Sequence, residues 1–210
     1  MKKSWQYKLR NYTSVDIGAF EKYFEDMPYD PYVKGNFRMR RFSSIKKDDL
    51  GKWTILPHKT FTQTADVNDL LGDVVREYEE IDEKLIKSKP FEHIVTGFVN
   101  LSGVNPYITE IGIHQMRILC SEYIKGEPAP EGRHQDGFDY VGIFCARRVK
   151  VTGGISELFL NKDDTKPILK KTLRQNELLV VNDREVFHNA TKLSPVDLEL
   201  GYRDVFVFTA

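Results

Sequence analysis

The chain has 210 residues, of which 40% are hydrophobic, which is enough for one domain with a substantial core. Its 13 Phe and 10 Tyr residues argue against a disordered chain. Lys and Arg together number 31, as do Asp and Glu, so the formal net charge is zero. This balance provides no general electrostatic basis for binding nucleic acid or an anionic membrane.

The first residues and the cysteines lead us to expect a cytoplasmic protein. Residues 1–14, MKKSWQYKLRNYTS, have a basic tip but no apolar segment after it, unlike a secretory signal. No apolar run approaches the roughly 18 residues of a membrane span. Cys120 and Cys145 lie in apolar, strand-like stretches, so we expect buried free thiols, and they form no C-x-x-C pair of a zinc ribbon.

Two segments of the first half carry helical patterns. Residues 14–27, SVDIGAFEKYFEDM, predict a short helix that ends at Pro28. Residues 69–88, DLLGDVVREYEEIDEKLIKS, place apolar side chains near a period of 3.6 and predict a longer helix, preceded by Asp66-Val67-Asn68 and ending before Pro90.

Between these helices, residues 33–45, VKGNFRMRRFSSI, alternate as a strand does. An inward arginine among Arg38, Arg40 and Arg41 could bind a substrate carboxylate. Three basic residues so close together are more typical of a solvated face, which is the interpretation we favour. Three nearby aromatic residues could either wall an apolar pocket or belong to the core: Phe37, Phe42 and Trp53.

The second half reads as short strands bounded by Gly, Asp, Asn or Pro. The segments are IGIHQMRILCSEYI, YVGIFCARRV, SELFLN, ELLVVND and YRDVFVFTA. Strands at this spacing indicate a sandwich or barrel, including jelly rolls. We predict a single domain over residues 1–210, in which a helix-rich part (1–98) packs on a barrel formed by residues 99–210.

Polar residues at the entry to one strand suggest a metal site. In the stretch GRHQDG, His134 and Asp136 are two residues apart, so on an extended strand both side chains point to one side. A second histidine, His188, lies on a later strand, 54 residues after His134. Two His and one carboxylate on one face, with other positions open, form the facial triad of non-haem Fe(II) oxygenases. The alternative is a solvated polar turn hinged by Gly132 and Gly137.

Arg203 strengthens the metal interpretation. It follows His188 by 15 residues and starts another strand, in GYRDVFVFT. A buried arginine makes a bidentate, charge-assisted contact with a carboxylate, such as the free end of an oxo-diacid chelated to iron. Arg203 could instead pair with an acid such as Asp204, but adjacent strand residues point to opposite faces.

These motifs resemble the Fe(II)/2-oxoglutarate-dependent dioxygenase superfamily, and most closely its small bacterial free-L-amino-acid hydroxylases, the L-isoleucine dioxygenase type. The residues that carry the resemblance are HQ-x-R (114–117), RHQDG (133–137), GG-x-S (153–156), VFHNAT (186–191) and YRDV (202–205). An upstream stretch from Phe61 and Gln63 through Asn68, Gly72 and Arg76 to Asp82 is also similar, as is YVKGNFRMRRFSS (32–44).

The resemblance implies a mainly β fold with flanking helices, a double-stranded β-helix (jelly roll, cupin-like). It implies Fe(II), 2-oxoglutarate and O2 as cofactor and co-substrates. It implies His134, Asp136 and His188 as iron ligands and Arg203 as the anchor of 2-oxoglutarate.

Two further residues follow from the same match. Gln115 and Arg117 share a strand face, and we expect them to face inward and contact 2-oxoglutarate or the substrate. A buried arginine paired with an acid in the core is the alternative for Arg117. The glycines at 153 and 154 could form a loop close to the site or an ordinary hairpin turn.

The implied activity is hydroxylation of an aliphatic C–H bond of a free L-amino acid or close derivative, with release of succinate and CO2. Desaturation, cyclisation or a carrier-bound substrate would use the same cofactor chemistry. A cupin-like metal protein that does not use 2-oxoglutarate, and a non-enzymatic binding module, are the competing classes. We expect a small-molecule substrate, no nucleic-acid or membrane partner, and a monomer or homodimer.

Overall fold

A seven-stranded antiparallel sheet organises the chain in the computed structural model, which describes residues 5–65 and 70–210. In spatial order its strands are β1 (Tyr7–Asn11), β9 (Glu177–Asn182), β5 (Tyr140–Val149), β12 (Gly201–Thr209), β4 (Ile111–Cys120), β2 (Arg38–Lys47) and β3 (Trp53–Ile55). Apart from β2 and β3, neighbours in this order are far apart in the chain, as in Greek-key connections.

Two smaller sheets face one side of the large sheet. One consists of β10 (Phe187–Ala190), β7 (Ile155–Phe159) and β8 (Leu169–Thr172), and the other of β11 (Leu193–Pro195) and β6 (Val151–Gly153). Leu158 of β7 packs with Val141 and Leu179 of the large sheet, and Leu193 of β11 packs with Ile118. This two-layer arrangement is the predicted jelly roll, and the fold prediction is confirmed.

The helices cover the opposite face of the large sheet. They are α1 (Glu21–Glu25), α2 (Glu83–Ile86) and α3 (Lys89–Ser102), with a 3₁₀ turn at Ile17–Phe20 before α1. Phe206 of β12 lies against Phe20, Phe24 and Phe91, with ring centroids 5.0–5.4 Å apart. Because side chains alternate along a strand, residues 203, 205, 207 and 209 of β12 face the other way, into the jelly roll.

A β-bulge near the end of β5 changes which of its side chains face the jelly roll. The register between β5 and β12 shifts where Asp204 pairs with Arg147 and Val205 with Cys145. The extra residue, Ala146, places Arg148 beside Arg203, on the same side as Cys145.

The predicted strands of the second half are confirmed, with β5 spanning the predicted residues 140–149. The prediction of a helix over 14–27 is met by the 3₁₀ turn and α1. The helix predicted over 69–88 is confirmed only near its end, where α2 (Glu83–Ile86) forms, and is wrong for residues 70–82. Its proposed start, Asp66-Val67-Asn68, lies outside the described residues, and residues 70–82 form turns and extended chain, including a β-bridge between Phe61 and Arg76.

The first 98 residues also contribute β1, β2 and β3 to the large sheet, besides their helical segments. Cys120 and Cys145 are free and buried, as predicted. In the described part of the chain, no helix is long and apolar enough to cross a membrane.

Candidate metal centre

A backbone bridge brings two distant histidines together. The N–H of His134 donates to the carbonyl of His188 at 3.0 Å, and the N–H of His188 donates to the carbonyl of His134 at 2.8 Å. The imidazole rings consequently lie 4.4 Å apart between centroids. The main chain therefore fixes the two side chains before any metal contributes.

Asp136 completes a three-residue cluster with them. Its Oδ1 lies 3.5 Å from Nε2 of His134, and its Oδ2 lies 3.6 Å from Nε2 of His188. One ligand atom from each of the three residues lies within 4.8 Å of the others. His134 Nδ1 is 2.8 Å from the carbonyl oxygen of Gly132, to which it donates, so Nε2 is the nitrogen left to bind a metal.

Asp183 holds the loop that carries two of these residues. Its carboxylate is buried, and Oδ2 accepts the backbone N–H groups of Asp136, Gly137 and Phe138 at 2.9–3.3 Å. Its Oδ1 lies 3.0 Å from Nε2 of His188. One buried side chain thus ties the His134–Phe138 loop to the strand that carries His188.

Arg203 lies in the same cavity as the cluster. It projects from β12, is only 3% exposed, and lines the cavity together with the three cluster residues. Among the described residues, its Nε and Nη2 have no hydrogen-bond partner. A buried guanidinium with unused donors is costly unless an anion takes them.

Comparisons with known proteins identify the family to which the chain belongs. A family model described as 2OG-Fe dioxygenase, in which 2OG denotes 2-oxoglutarate, matches residues 21–209. The protein belongs to the 2OG-Fe dioxygenase family. Proteins of this family are dioxygenases, and they use Fe(II), 2-oxoglutarate and O2.

One curated relative, from Pantoea ananatis strain AJ13355, is named 3(1)-hydroxy-L-isoleucine 4-dioxygenase. It is 27% identical over 133 residues, which are 61% of this chain and 53% of that protein. The chain therefore matches about half the length of this relative.

Solved structures share the fold across nearly the whole chain. A BsmA homologue from Methylobium petroleophilum PM1 has a TM-score of 0.82 at 24% identity, covering 99% of this chain and 88% of that one. The protein IDO from Bacillus thuringiensis has a TM-score of 0.76 at 18% identity, covering 94% and 85%. An Fe(II)/α-ketoglutarate-dependent dioxygenase, TqaL, has a TM-score of 0.71 at 13% identity, covering 97% of this chain and 82% of that one.

The residues of this chain fit the groups that its family uses. Two imidazoles and one carboxylate, with no fourth His, Cys, Asp or Glu grouped with them in residues 5–65 and 70–210, are the donor set of a facial Fe(II) site. Two other acids contact the histidines: Asp183 at His188, as described above, and Glu131, whose Oε1 lies 3.2 Å from Nε2 of His134. The unused donors of Arg203 suit a carboxylate in the same cavity.

Gln115 and Arg117 do not face this cavity, which corrects the prediction made for them. Arg117 donates from Nε and Nη2 to the two carboxylate oxygens of Asp204 at 2.7 and 2.8 Å. Gln115 donates to the carbonyl of Tyr23 at 2.7 Å. Both lie on the helix-covered face of β4, whereas His114 and Met116 point into the cavity.

The three clustered arginines divide between the two faces of β2. Arg38 and Arg40 are buried and line the cavity, which overturns the solvated face favoured from the sequence. Arg41, on the other face, donates to the carbonyls of Glu80 and Asp26. The three aromatic residues that could have walled a pocket belong to core clusters: Phe37, Phe42 and Trp53.

Gly154 lies beside Arg203, whereas Gly153 lies against Lys192, so the interpretation of a loop close to the site is supported. Both have positive φ, at 73° and 59°. A Cβ on Gly154 would lie 3.4 Å from Cδ of Arg203 and 3.3 Å from Nη1 of Arg148. That Cβ would also lie 2.6 Å from Cδ2 of Leu193, so this close contact and the positive φ together require glycine at position 154.

The triad's own charges shift its proton affinities. Burial would lower the pKa of His134, but its hydrogen bond with Asp136 and that carboxylate's charge outweigh burial and raise the pKa to about 9. Burial would raise the pKa of Asp136, but the hydrogen bond to His134 and the neighbouring imidazoles hold it well below its usual range. In the metal-free protein the raised pKa of His134 stabilises the fold below about pH 6.5, and this stabilisation is lost as pH rises through about 9.

Metal affinity should therefore rise with pH up to about pH 9, because a metal must displace the proton of His134 below that value. We expect the affinity for Mn(II), an air-stable probe, to increase by up to about tenfold per pH unit between about pH 7 and pH 9. Calorimetric titration of metal-free protein at several pH values measures this. An affinity that stays flat across this range would contradict the proton competition.

Proposed function

We propose that the protein hydroxylates an aliphatic C–H bond of a free L-amino acid or a close derivative, converting 2-oxoglutarate and O2 to succinate and CO2. The observation that carries this proposal is one cavity lined by His134, Asp136, His188 and Arg203. The name of the Pantoea relative, an L-isoleucine-type dioxygenase, supports an amino acid as substrate.

His134, Asp136 and His188 would hold Fe(II) through Nε2 of His134, a carboxylate oxygen of Asp136 and His188. Bound there with 2-oxoglutarate, the iron supplies O2 activation and the oxidation of an unactivated C–H bond. Asp183 and the bridge between residues 134 and 188 hold these ligands in place without reorganisation.

Arg203 would bind the carboxylate of 2-oxoglutarate that does not reach the metal. Its guanidinium is always charged, and Nε and Nη2 form a fork that matches two carboxylate oxygens. The pairing of Asp204 with Arg117 on the opposite face leaves Arg203 without a competing internal acid there.

Apolar side chains close the rest of the cavity. They are Phe61, Leu70, Leu71, Met116, Val205 and Val207. An apolar wall holds an aliphatic side chain and keeps water from the reacting centre. Leu71 and the partly exposed Leu70 come from the segment that sequence periodicity assigned to a helix.

The other oxidative outcomes remain chemically related alternatives. Desaturation, cyclisation and oxidation of a carrier-bound substrate need the same iron and co-substrate, and differ in where the substrate's C–H bonds lie. A cupin-like protein that does not use 2-oxoglutarate, and a non-enzymatic module, conflict with the family to which the chain belongs.

Anaerobic titration of the Fe(II)-loaded protein with 2-oxoglutarate tests the proposal. We expect the weak visible metal-to-ligand charge-transfer band, followed in air by succinate release that depends on an added L-amino acid. A band with no amino-acid-dependent succinate would refute the substrate class but keep the co-substrate. Metal binding without any band would refute the co-substrate assignment.

A further inference from the structure

Two buried arginines of the cavity have no acidic partner among the residues that the structure describes. Arg40 is 7% exposed and Arg76 is 2% exposed, and both line the cavity. Within residues 5–65 and 70–210 neither forms an ion pair, whereas their neighbour Arg38 is paired with Asp30 at 2.7 Å. Arg40 and Arg76 thus carry two buried positive charges that no carboxylate of the described chain neutralises.

Their surroundings fix both guanidinium groups but leave donors unused. The ring of Phe61 lies 5.4 Å from the guanidinium carbon of Arg40 and 4.7 Å from that of Arg76. Nη2 of Arg40 donates to Nδ1 of His114 at 2.7 Å. Burial and the charge of Arg40 hold the pKa of His114 well below its usual value, so this histidine is a neutral acceptor. Nε of each arginine is buried and has no hydrogen-bond partner in the described part of the chain.

This pair lies one side chain from the metal centre. Nη2 of Arg76 donates to Oε1 of Gln63 at 3.0 Å. Nε2 of Gln63 donates to the backbone oxygen of Asp136 at 3.1 Å and to its Oδ1 at 3.3 Å. A group held by Arg40 and Arg76 would therefore lie close to the iron ligands while remaining separate from Arg203.

We propose that Arg40 and Arg76 form a second anion site, which binds the carboxylate of the substrate. This inference rests on the proposed function and extends it by assigning the residues that recognise the amino acid. Two buried guanidinium groups without an acid destabilise a fold, and a bound carboxylate that accepts their free donors offsets this cost. The apolar wall at Phe61, Leu71 and Met116 then receives the aliphatic part of the same molecule.

The register of the large sheet separates this site from that of 2-oxoglutarate. Arg40 on β2 lies opposite Met116 on β4, which lies opposite Val205 on β12. Arg203 is two residues before Val205 on β12 and lies opposite Ile118. With strands about 4.8 Å apart and a rise of about 3.4 Å per residue, two inter-strand spacings and two residues separate the backbones of Arg40 and Arg203 by roughly 12 Å. One cavity can thus hold two carboxylates at different ends.

The experiment uses anaerobic Fe(II)- and 2-oxoglutarate-loaded protein, because substrate binding near iron perturbs the visible band. The probes are the common L-amino acids, followed by the decarboxylated amine of each one that binds. We expect at least one amino acid to perturb the band and the corresponding amine to leave the band unchanged. Arg76→Gln and Arg40→Gln should each weaken binding of that amino acid by about 10- to 100-fold and leave 2-oxoglutarate binding unchanged.

Two control variants distinguish the loss of a binding contact from a general loss of structure. Arg41→Gln, a neighbour on the opposite face of β2, should bind the amino acid as wild type does. Arg76→Lys, which keeps the charge, should recover part of the affinity. The proposal would be overturned if Arg76→Gln and Arg40→Gln bound the amino acid as wild type does. It would also be overturned if they weakened 2-oxoglutarate binding as much as amino-acid binding.

Two results with wild type separate the inference from the proposed function. If the band forms with 2-oxoglutarate and no amino acid perturbs it, the second anion site does not bind an amino-acid carboxylate. If no band forms at all, the proposed co-substrate chemistry itself has failed.

Discussion

Asp136→Asn should abolish turnover and weaken Mn(II) or Fe(II) binding by more than about 100-fold. Changes to residues that only orient a metal ligand typically cost 10- to 100-fold in metal affinity, and the carboxylate of Asp136 is argued to be a ligand itself. Asparagine keeps the size and the backbone N–H that donates to Asp183, but removes the negative charge. Calorimetry with Mn(II) and single-turnover succinate assays measure the two losses.

Glu131→Gln is the matched control for this substitution. Glu131 is also a carboxylate beside His134, with Oε1 3.2 Å from Nε2. It lies on the loop at Pro128–Glu131 that lines the cavity. We expect its amide to leave metal affinity nearly unchanged. If Glu131→Gln loses the metal and Asp136→Asn keeps it, then Glu131 is the third ligand and the H-x-D assignment is wrong.

The strands of the second half and the triad could be predicted from the sequence. Strands such as β5 and β12 bury side chains on both faces between short polar turns, which gives the apolar runs seen in YVGIFCARRV and YRDVFVFTA. His134 and Asp136 are close in sequence, and spacing alone placed them on one side. The pairing of residue 134 with His188 needed the backbone bridge that only the fold supplies.

The face of Gln115 and Arg117 could not be read from the sequence. In β4 residues 111–115 are all buried, so no alternation of polar and apolar positions marks which side meets the cavity. A shift of one residue exchanges the faces, and the structure has His114 inside instead. Asp204 then becomes the partner of Arg117, which was the alternative left open from the sequence.

The segment 70–82 shows periodicity that tertiary packing overrides. Its apolar residues have different partners: Leu71 lines the cavity, Tyr78 packs with Phe42 and Phe61, and Ile81 joins the core beneath the helices. Extended chain reaches these separate places, whereas one helix face would not. The bridge between Phe61 and Arg76 fixes the turn and places Arg76 in the cavity.

Residues that support the site through other residues were missed for a related reason. Asp183 was read as the end of a strand, although an acid five residues before His188 was a signal of a supporting role. Gln63 and Arg76 appeared only as positions of family resemblance. Gln63 contacts Asp136, 73 residues away in the chain, and Arg76 is linked to Asp136 only through Gln63. Sequence spacing carries no information on such contacts.

Arg203→Met should raise the 2-oxoglutarate concentration needed for the charge-transfer band by about 30-fold or more. Removing one partner of a buried charge pair costs about 2–5 kcal/mol, and 2 kcal/mol corresponds to roughly 30-fold. Methionine fills much of the volume beside Gly154 and removes every donor. Metal binding should survive, because no ligand of the triad contacts Arg203 through a hydrogen bond in the described structure. Anaerobic titration of the Mn(II)- and Fe(II)-loaded variant separates the two effects.

The matched pair Arg203→Lys and Arg117→Lys distinguishes recognition of 2-oxoglutarate from general stability. Lysine keeps the positive charge but cannot donate in the planar fork that two carboxylate oxygens accept. At position 203 we expect weaker 2-oxoglutarate binding with little change in the free energy of unfolding. At position 117 we expect the reverse, because that arginine donates twice to Asp204 on the helix-covered face. Equal losses of 2-oxoglutarate affinity in both variants would show that Arg203 acts through the fold, not by binding the co-substrate.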